Sequence, residues 1–231
     1  MVTGPSRRKP TCFAIHTERL HDDAVWARAR RFADFLFRRS LAAVWFSINP
    51  TASAYRSMGY DEAAWAARLR YLAAHGQRIE QHTHFYGDRK GVYGLSLSHM
   101  RARLREDRAW LAGNGHAVTG IVSGAWIVFP ELLALLAEEG YSYDCSSRTF
   151  SLPYIRSSEH RMLSPSPRRY GSLWEIPTTH QLKHFWLPRP APYRLAYCHD
   201  YDLARVPFRM AAYVMAAARP PASFVTPPEC L

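Results

Sequence analysis

The sequence predicts an α/β fold, a distorted or incomplete (β/α) barrel of about seven strands. Short apolar runs of strand length alternate at least four times with longer segments whose apolar residues recur at helical spacing. Glycine follows three of these longer segments, at Gly76, Gly115 and Gly140, where helices commonly end. Seven strands suit an incomplete barrel better than a long open sheet, and 231 residues are enough for one domain.

The predicted strands are short and bounded by helix caps or turn residues. In chain order they cover residues 11–17, 42–48, 78–83, 116–122, 141–145, 173–177 and 194–198. Asn49-Pro50 ends the second strand, because proline cannot extend a sheet ladder. Residues 146–172 are rich in Pro, Ser and Arg and are predicted to be irregular. Residues 1–10 are predicted to form a disordered basic leader before a single domain over residues 11–231.

The predicted helices carry start signals. They cover residues 24–39, residues 61–75, a segment that begins at Ser98, a segment that begins at Pro130, and residues 203–218. Asp22 or Asp23 caps the first helix and Asp61 the second, because a carboxylate there accepts hydrogen bonds from unpaired backbone N–H groups. Proline suits the first position of a helix, which supports Pro130.

Composition narrows the class of protein. The formal net charge is +11, but the arginines are dispersed and no nucleic-acid-reading motif is present, so we expect no nucleic-acid partner. The charge leaves open an anionic glycan, weak association with an anionic membrane surface, or simply a solvated basic surface. No apolar run reaches the roughly 18–20 residues of a membrane span, and no signal peptide is recognised, so we expect a cytoplasmic protein. The four cysteines are too widely spaced to predict a disulfide framework, and Cys12, Cys145 and Cys198 lie in or beside predicted strands, which predicts buried free thiols.

Two pairs of polar residues stand where predicted strands end. His82 and His84 are two residues apart at the end of the third strand, and so are His16 and Glu18 at the end of the first. Residues i and i+2 of a strand share a face, and the carboxyl ends of parallel strands are where α/β folds place ligands. Each of these residues has a structural alternative: a buried or hydrogen-bonded histidine, or an ordinary surface carboxylate.

The order of several segments resembles the polysaccharide deacetylase family, the NodB-homology fold of carbohydrate esterase family 4, over roughly residues 11–203. The matching segments are Phe13–Glu18, Arg78–His84, Gly120–Trp126, Pro130–Ser146, Leu173–Thr178 and Tyr197–Leu203. The resemblance implies a NodB-like barrel, and it implies that Glu18 and His82 are metal ligands. His16 stands where the family has an acidic base, and His199 where it has the general acid. Tyr86 stands at the family's second histidine, so His84 or a water would complete the metal shell.

The implied activity is that of a metal-dependent hydrolase that removes an acetyl or acyl group from an N-acetylated sugar. Zinc is the expected metal, with cobalt, nickel or manganese as alternatives. Asp22 or Asp23 could instead supply the missing acidic base or a metal ligand, with the helix cap as the structural alternative. Trp126, Glu175 and Tyr86 are candidate substrate-binding residues, and core packing is the alternative for Trp126.

The expected substrate is an N-acetylated sugar or a nucleotide- or lipid-linked glycan, processed in surface polysaccharide or lipopolysaccharide biosynthesis. Two rival functions remain open at this point. One is a catalytically degenerate protein of the same fold that binds glycan, and the other is a basic nucleic-acid-binding protein. The oligomeric state is not predicted.

Overall fold

A nine-stranded sheet organises the part of the chain that the computed structural model describes, which is residues 9–52, 55, 58–85, 96–151, 162–187, 191–217 and 226–231. The strands are β1 Thr11–Thr17, β2 Val44–Ser47, β3 Arg78–Thr83, β4 Gly120–Ser123, β5 Tyr143–Asp144, β6 Arg168–Tyr170, β7 Leu173–Glu175, β8 His180–Gln181 and β9 Arg194–His199. The predicted leader over residues 1–10 lies almost wholly outside the described residues.

The strand order is β6-β7-β5-β4-β3-β2-β1-β9-β8. All neighbouring strands pair in parallel except β6 and β7, which are antiparallel. The sheet curls into a distorted, incomplete barrel, so the predicted fold class is confirmed. Two short strands were not predicted: β6 lies in the segment expected to be irregular, and β8 follows the predicted strand over residues 173–177.

Five α-helices accompany the sheet: α1 Asp23–Phe37, α2 Glu62–Ala74, α3 Leu97–Gly113, α4 Pro130–Glu138 and α5 Val206–Ala217. Asp22 caps α1 and Asp61 caps α2, as predicted. The cap of α3 is Ser96 rather than Ser98, because the Ser96 hydroxyl accepts from the His99 N–H. None of the helices in the described ranges is long and apolar enough to cross a membrane.

Alternation along the central strands sends side chains to two different packed layers. Phe13 and Ile15 of β1 pack with α1 and α2 in one apolar cluster, whereas Cys12 and Ala14 lie in another, with β2, β9 and Trp126. Residue i and residue i+2 share a face, so His16 continues the Cys12–Ala14 face toward the carboxyl end of the sheet. All four cysteines are buried and free, which confirms that prediction.

Candidate metal centre

Glu18, His82 and His84 meet where β1 and β3 end. The Glu18 Oε1 atom lies 3.4 Å from His82 Nε2 and 3.3 Å from His84 Nε2, and the two Nε2 atoms are 2.9 Å apart. Both imidazoles are buried, whereas the Glu18 side chain keeps 26% of its exposure. Three potential ligand atoms therefore converge at a point that solvent can approach.

The arrangement fits a zinc-like cation. His82 Nδ1 lies 3.0 Å from the Val122 carbonyl oxygen. A carbonyl oxygen only accepts, so Nδ1 must carry the ring hydrogen and donate it. The lone pair of Nε2 is then free to point at the cluster. Two ligand atoms that each lie about 2.0–2.1 Å from a tetrahedral zinc are roughly 3.3 Å apart. The distances from Glu18 Oε1 to the two histidine Nε2 atoms are close to this value. Nitrogen and carboxylate donors are those zinc prefers, and three protein ligands leave a position for water or substrate.

Hydrogen bonds on the opposite face of β3 hold the strand that carries both histidines. The Thr83 hydroxyl donates to Asp107 Oδ2 at 2.8 Å, and the Gln81 amide donates to the Leu104 carbonyl of α3 at 3.0 Å. Tyr141 Oη donates to Gln81 Oε1 at 2.7 Å. These bonds fix the polar residues that alternate with His82 and His84, so the imidazoles are held toward the cluster.

Asp200 holds the loop that carries Glu18. Its carboxylate is fully buried and accepts from the Arg19 N–H at 2.9 Å and from the Tyr201 N–H at 2.8 Å. The end of β9 is thereby tied to the residue after Glu18. Asp200 lies in the segment that carries the family resemblance, but no role was predicted for it.

Gly124, directly after β4, makes room for His84. A Cβ atom added at Gly124 would overlap the His84 imidazole at Cγ, Cδ2 and Nδ1. The backbone of Gly124 is not in the left-handed region, so close approach, rather than conformational freedom, explains the glycine. Gly124 lies in the segment Gly120–Trp126 that carries the resemblance, and its close approach to His84 gives it a structural role in the site.

Substitution Gly124→Ala is expected to displace the His84 ring and lower zinc affinity by about 10- to 100-fold, because a misplaced ligand loses its bond geometry. Titration calorimetry of the metal-free protein with zinc measures the change. Gly113→Ala is the matched control, because a Cβ there meets nothing within 4 Å. Equal zinc affinity for Gly124→Ala and wild type would contradict the placement of His84.

His16 lies beside the cluster as a buried neutral imidazole. It is 3% exposed, and its ring centroid is 4.9 Å from that of His82 and 5.4 Å from that of His199. Burial, together with the neighbouring His82 and His199, lowers its pKa well below the usual value. No hydrogen-bond partner for its Nε2 is found among the described residues, so this atom can accept a proton when the ring hydrogen is on Nδ1.

His199 closes the opposite side of the cluster. Its Nε2 is 3.6 Å from Glu18 Oε1, and its Nδ1 is 3.3 Å from Asp202 Oδ2. Burial opposes the charged form, but the hydrogen bond to Asp202, helped by the charge of Glu18, outweighs burial and raises the pKa of His199. Asp202, which was not predicted, therefore orients this imidazole and favours its protonated form.

Two other predicted residues, Asp22 and Trp126, do not join the cluster in the described structure. Asp22 is the N-cap of α1, and its carboxylate accepts from the Ala24 and Val25 N–H groups, so the helix-cap alternative is the one observed. Trp126 is 6% exposed and packs edge-on against Tyr197 in the core beneath His16, so its packing alternative is observed. Tyr86 lies outside the described residues.

Glu175, predicted to bind substrate, is a buried carboxyl group whose strand position places it on the face of the sheet opposite to that of Trp174. It is fully buried, and it alternates with Trp174, which packs on the apolar cluster that contains Cys12 and Ala14. It stands opposite Asp144 in the β5–β7 register. Burial, and then the charge of Asp144, raise the pKa of Glu175 to about 8.

The Glu175 pKa predicts a pH-dependent contribution to stability. The pKa of Glu175 is higher in the folded protein than in the unfolded chain. Its contribution to stability is therefore fully present below the pKa of the unfolded chain, and it is lost as pH rises through the folded-state pKa of about 8. Glu175→Gln removes the titration. We expect the variant to gain about 4 kcal/mol over wild type between pH 5 and pH 9, or about 8–16 °C in Tm.

Thermal unfolding across this pH range, with both proteins metal-free, measures the effect. Glu131→Gln, an exposed carboxylate at the start of α4, is the control. If Tm depended on pH in the same way for Glu175→Gln and wild type, the raised pKa of Glu175 would be contradicted.

Comparisons with known proteins identify the fold. No protein-family model matches the chain, and neither does any curated protein. A protein from Mycobacterium smegmatis classed as a polysaccharide deacetylase superposes with a TM-score of 0.58 at 15% identity, over 92% of this chain and 86% of that one. A family 4 carbohydrate esterase from Streptomyces lividans, in complex with acetate, gives 0.53 at 10% identity, over 92% and 91%.

A 4-alpha-glucanotransferase from Thermococcus litoralis also superposes, with a TM-score of 0.54 at 13% identity, over 92% of this chain and 38% of that one. The fold is therefore that of polysaccharide deacetylases and family 4 carbohydrate esterases, which confirms the predicted NodB-like barrel. Since a glucanotransferase shares the architecture, the fold does not select the reaction. The reaction must be inferred from the residues at the carboxyl edge of the sheet.

Proposed function

We propose that the protein is a metal-dependent hydrolase that removes an acetyl or acyl group from the nitrogen of an N-acetylated sugar. The observation that carries the proposal is the convergence of Glu18, His82 and His84 between two further imidazoles. A bound divalent cation would polarise the amide carbonyl and make a bound water more acidic. The donor set favours zinc, with cobalt, nickel or manganese as alternatives.

The remaining residues divide the proton transfers of amide hydrolysis. A water oxygen bonds to the acyl carbon, the C–N bond breaks, and acetate and a free amine leave. His16, neutral and with an available Nε2, accepts the proton of the water. His199, whose protonated form Asp202 favours, donates a proton to the departing nitrogen. A histidine base in place of the family's acid is the main departure from the resemblance.

The substrate is proposed to be an N-acetylated sugar or a nucleotide- or lipid-linked glycan of surface polysaccharide or lipopolysaccharide biosynthesis, a step placed in the cytoplasm. The net charge of +11 supports an anionic glycan carrier. The same charge is compatible with weak contact to an anionic membrane surface.

Acetate release from a panel of N-acetylated sugars, before and after chelation and with each metal restored, tests the function. We expect release that depends on metal, and about 100-fold lower kcat in His16→Ala and in His199→Ala with metal content retained. His99→Ala, an exposed histidine on α3, is the control and should keep wild-type kcat. Release that survives complete chelation would contradict the proposal. Metal-loaded protein that binds these sugars without releasing acetate would favour the degenerate glycan-binding alternative.

A further inference from the structure

A cavity of about 300 Å³ opens beside His199, between β8, β9 and the start of α5. His199 belongs both to this cavity and to the metal-centre region, because its Nε2 lies 3.6 Å from Glu18. A sugar whose acetamide reaches the cluster therefore has the cavity as a neighbouring space for its other substituents. The volume is at the lower end of the roughly 300–1,000 Å³ typical of small-molecule sites.

The charge of the cavity lining is positive. Lys183 and Arg205 contribute cations, and Asp202 is the carboxylate among the described lining residues. Asp202 is already engaged: its Oδ2 accepts from the His199 backbone N–H at 3.1 Å and lies 3.3 Å from His199 Nδ1, and its Oδ1 lies 3.5 Å from Arg205. Among the ion pairs of the described residues none involves Lys183. Its charge is therefore not neutralised by any carboxylate of the described residues.

The rest of the lining suits a sugar ring. Tyr201 stacks on His199 with ring centroids 4.8 Å apart, and Tyr197 forms part of the wall. Phe208 lies beneath the Lys183 ammonium, 5.8 Å from the Nζ atom to the ring centroid. Aromatic faces offer contact to the apolar faces of a pyranose, and the Gln181 amide, which donates to Tyr197 Oη at 3.0 Å, adds polarity.

We propose that this cavity, which we call the Lys183 pocket, selects N-acetylated sugars that carry a negatively charged group, a phosphoryl or a carboxylate. Lys183 and Arg205 contact the anion while the acetamide of the same sugar faces Glu18, His82 and His84. The inference rests on the proposed function and narrows its substrate class. Lys183 and Arg205 are specificity-determining residues in this account and take no part in bond breaking.

Equilibrium binding of three sugars tests the selection: N-acetylglucosamine, its phosphomonoester and its uronic acid. Titration calorimetry in the His16→Ala background prevents turnover during the measurement. We expect an anionic sugar to bind about tenfold tighter than the neutral one, with the preference weakening as salt rises. Whichever anionic sugar, the phosphomonoester or the uronic acid, binds more tightly identifies the preferred anion as phosphoryl or carboxylate.

Variants separate the pocket from the metal centre, which can itself attract anions. Lys183→Met and Arg205→Gln are each expected to reduce the ratio of anionic-sugar affinity to neutral-sugar affinity, and together to abolish the preference. Arg209→Gln, in α5 four residues after Arg205 and outside the lining, is the control and should keep the preference. A preference that persists in the double variant would overturn the inference.

The failure of this inference and that of the proposed function are distinguishable. If the protein released acetate in a metal-dependent way but bound the three sugars with equal affinity, the proposed selection would be overturned and the proposed hydrolase activity would stand. Lys183-dependent binding of an anionic sugar, with no acetate released by wild-type protein under any metal, would retain the pocket and overturn the hydrolase.

Discussion

Zinc affinity is expected to fall by at least about 100-fold in His82→Ala. His82 is 1% exposed, its Nε2 contacts both Glu18 and His84, and its Nδ1 is held by the Val122 carbonyl. Removing the His82 side chain removes one of three protein ligands. The other two, Glu18 and His84, then lose the imidazole that both contact. Loss of an outer-shell partner alone typically costs 10- to 100-fold in metal affinity, so the loss of a ligand should cost more.

Competition against a chromophoric zinc chelator measures the affinity of metal-free His82→Ala and wild type. His116→Ala is the matched control, because His116 is also a buried histidine but lies outside the three-ligand cluster. The control should retain wild-type affinity. Wild-type affinity in His82→Ala would exclude this cluster as the metal centre.

Glu80→Ala is expected to lower the free energy of unfolding by about 3–5 kcal/mol. The Glu80 side chain is wholly buried. Its Oε2 accepts from the Thr119 and Gly120 N–H groups at 2.8 and 2.7 Å, and its Oε1 accepts from Arg78 Nε at 2.6 Å. Alanine leaves two backbone donors at the start of β4 without acceptors and the Arg78 guanidinium without its carboxylate.

Urea unfolding of the metal-free proteins measures this loss without a contribution from metal binding. Glu138→Ala is the matched control, because Glu138 also pairs with an arginine, Arg101, but on the surface. The control should change stability by no more than about 1 kcal/mol. A similarly small change for Glu80→Ala would contradict the assignment of Glu80 as the acceptor that joins β3 to β4.

The fold and much of the cluster could be predicted because their signals are local. The strand over residues 78–83 was predicted with its observed bounds, because Gly76 ends the preceding helix and the two histidines mark the end of the strand. The i, i+2 spacing places His82 with His84 and His16 near Glu18 once the strands are parallel. The polar ends of neighbouring parallel strands then meet at one edge of the sheet.

Other features depend on contacts that are distant in sequence. β6 is an exposed strand whose Arg168-Arg169 gives no apolar alternation, so its pairing with β7 could not be read locally. Asp200 binds the backbone at Arg19, 181 residues away, and Glu80 binds backbone groups some 40 residues away. Glu175 was expected near the site because it ends a strand, but the direction of its side chain was set by the register of β7.

The position of a metal ion in crystals of the protein tests the central claim most directly. The protein would be purified and crystallised without added metal, then soaked with zinc, and anomalous diffraction would be recorded on both sides of the zinc absorption edge. The account predicts a single strong peak about 2.0–2.2 Å from Glu18, His82 and His84. A well-ordered cluster without a peak, or zinc bound only at surface histidines such as His99, would contradict it.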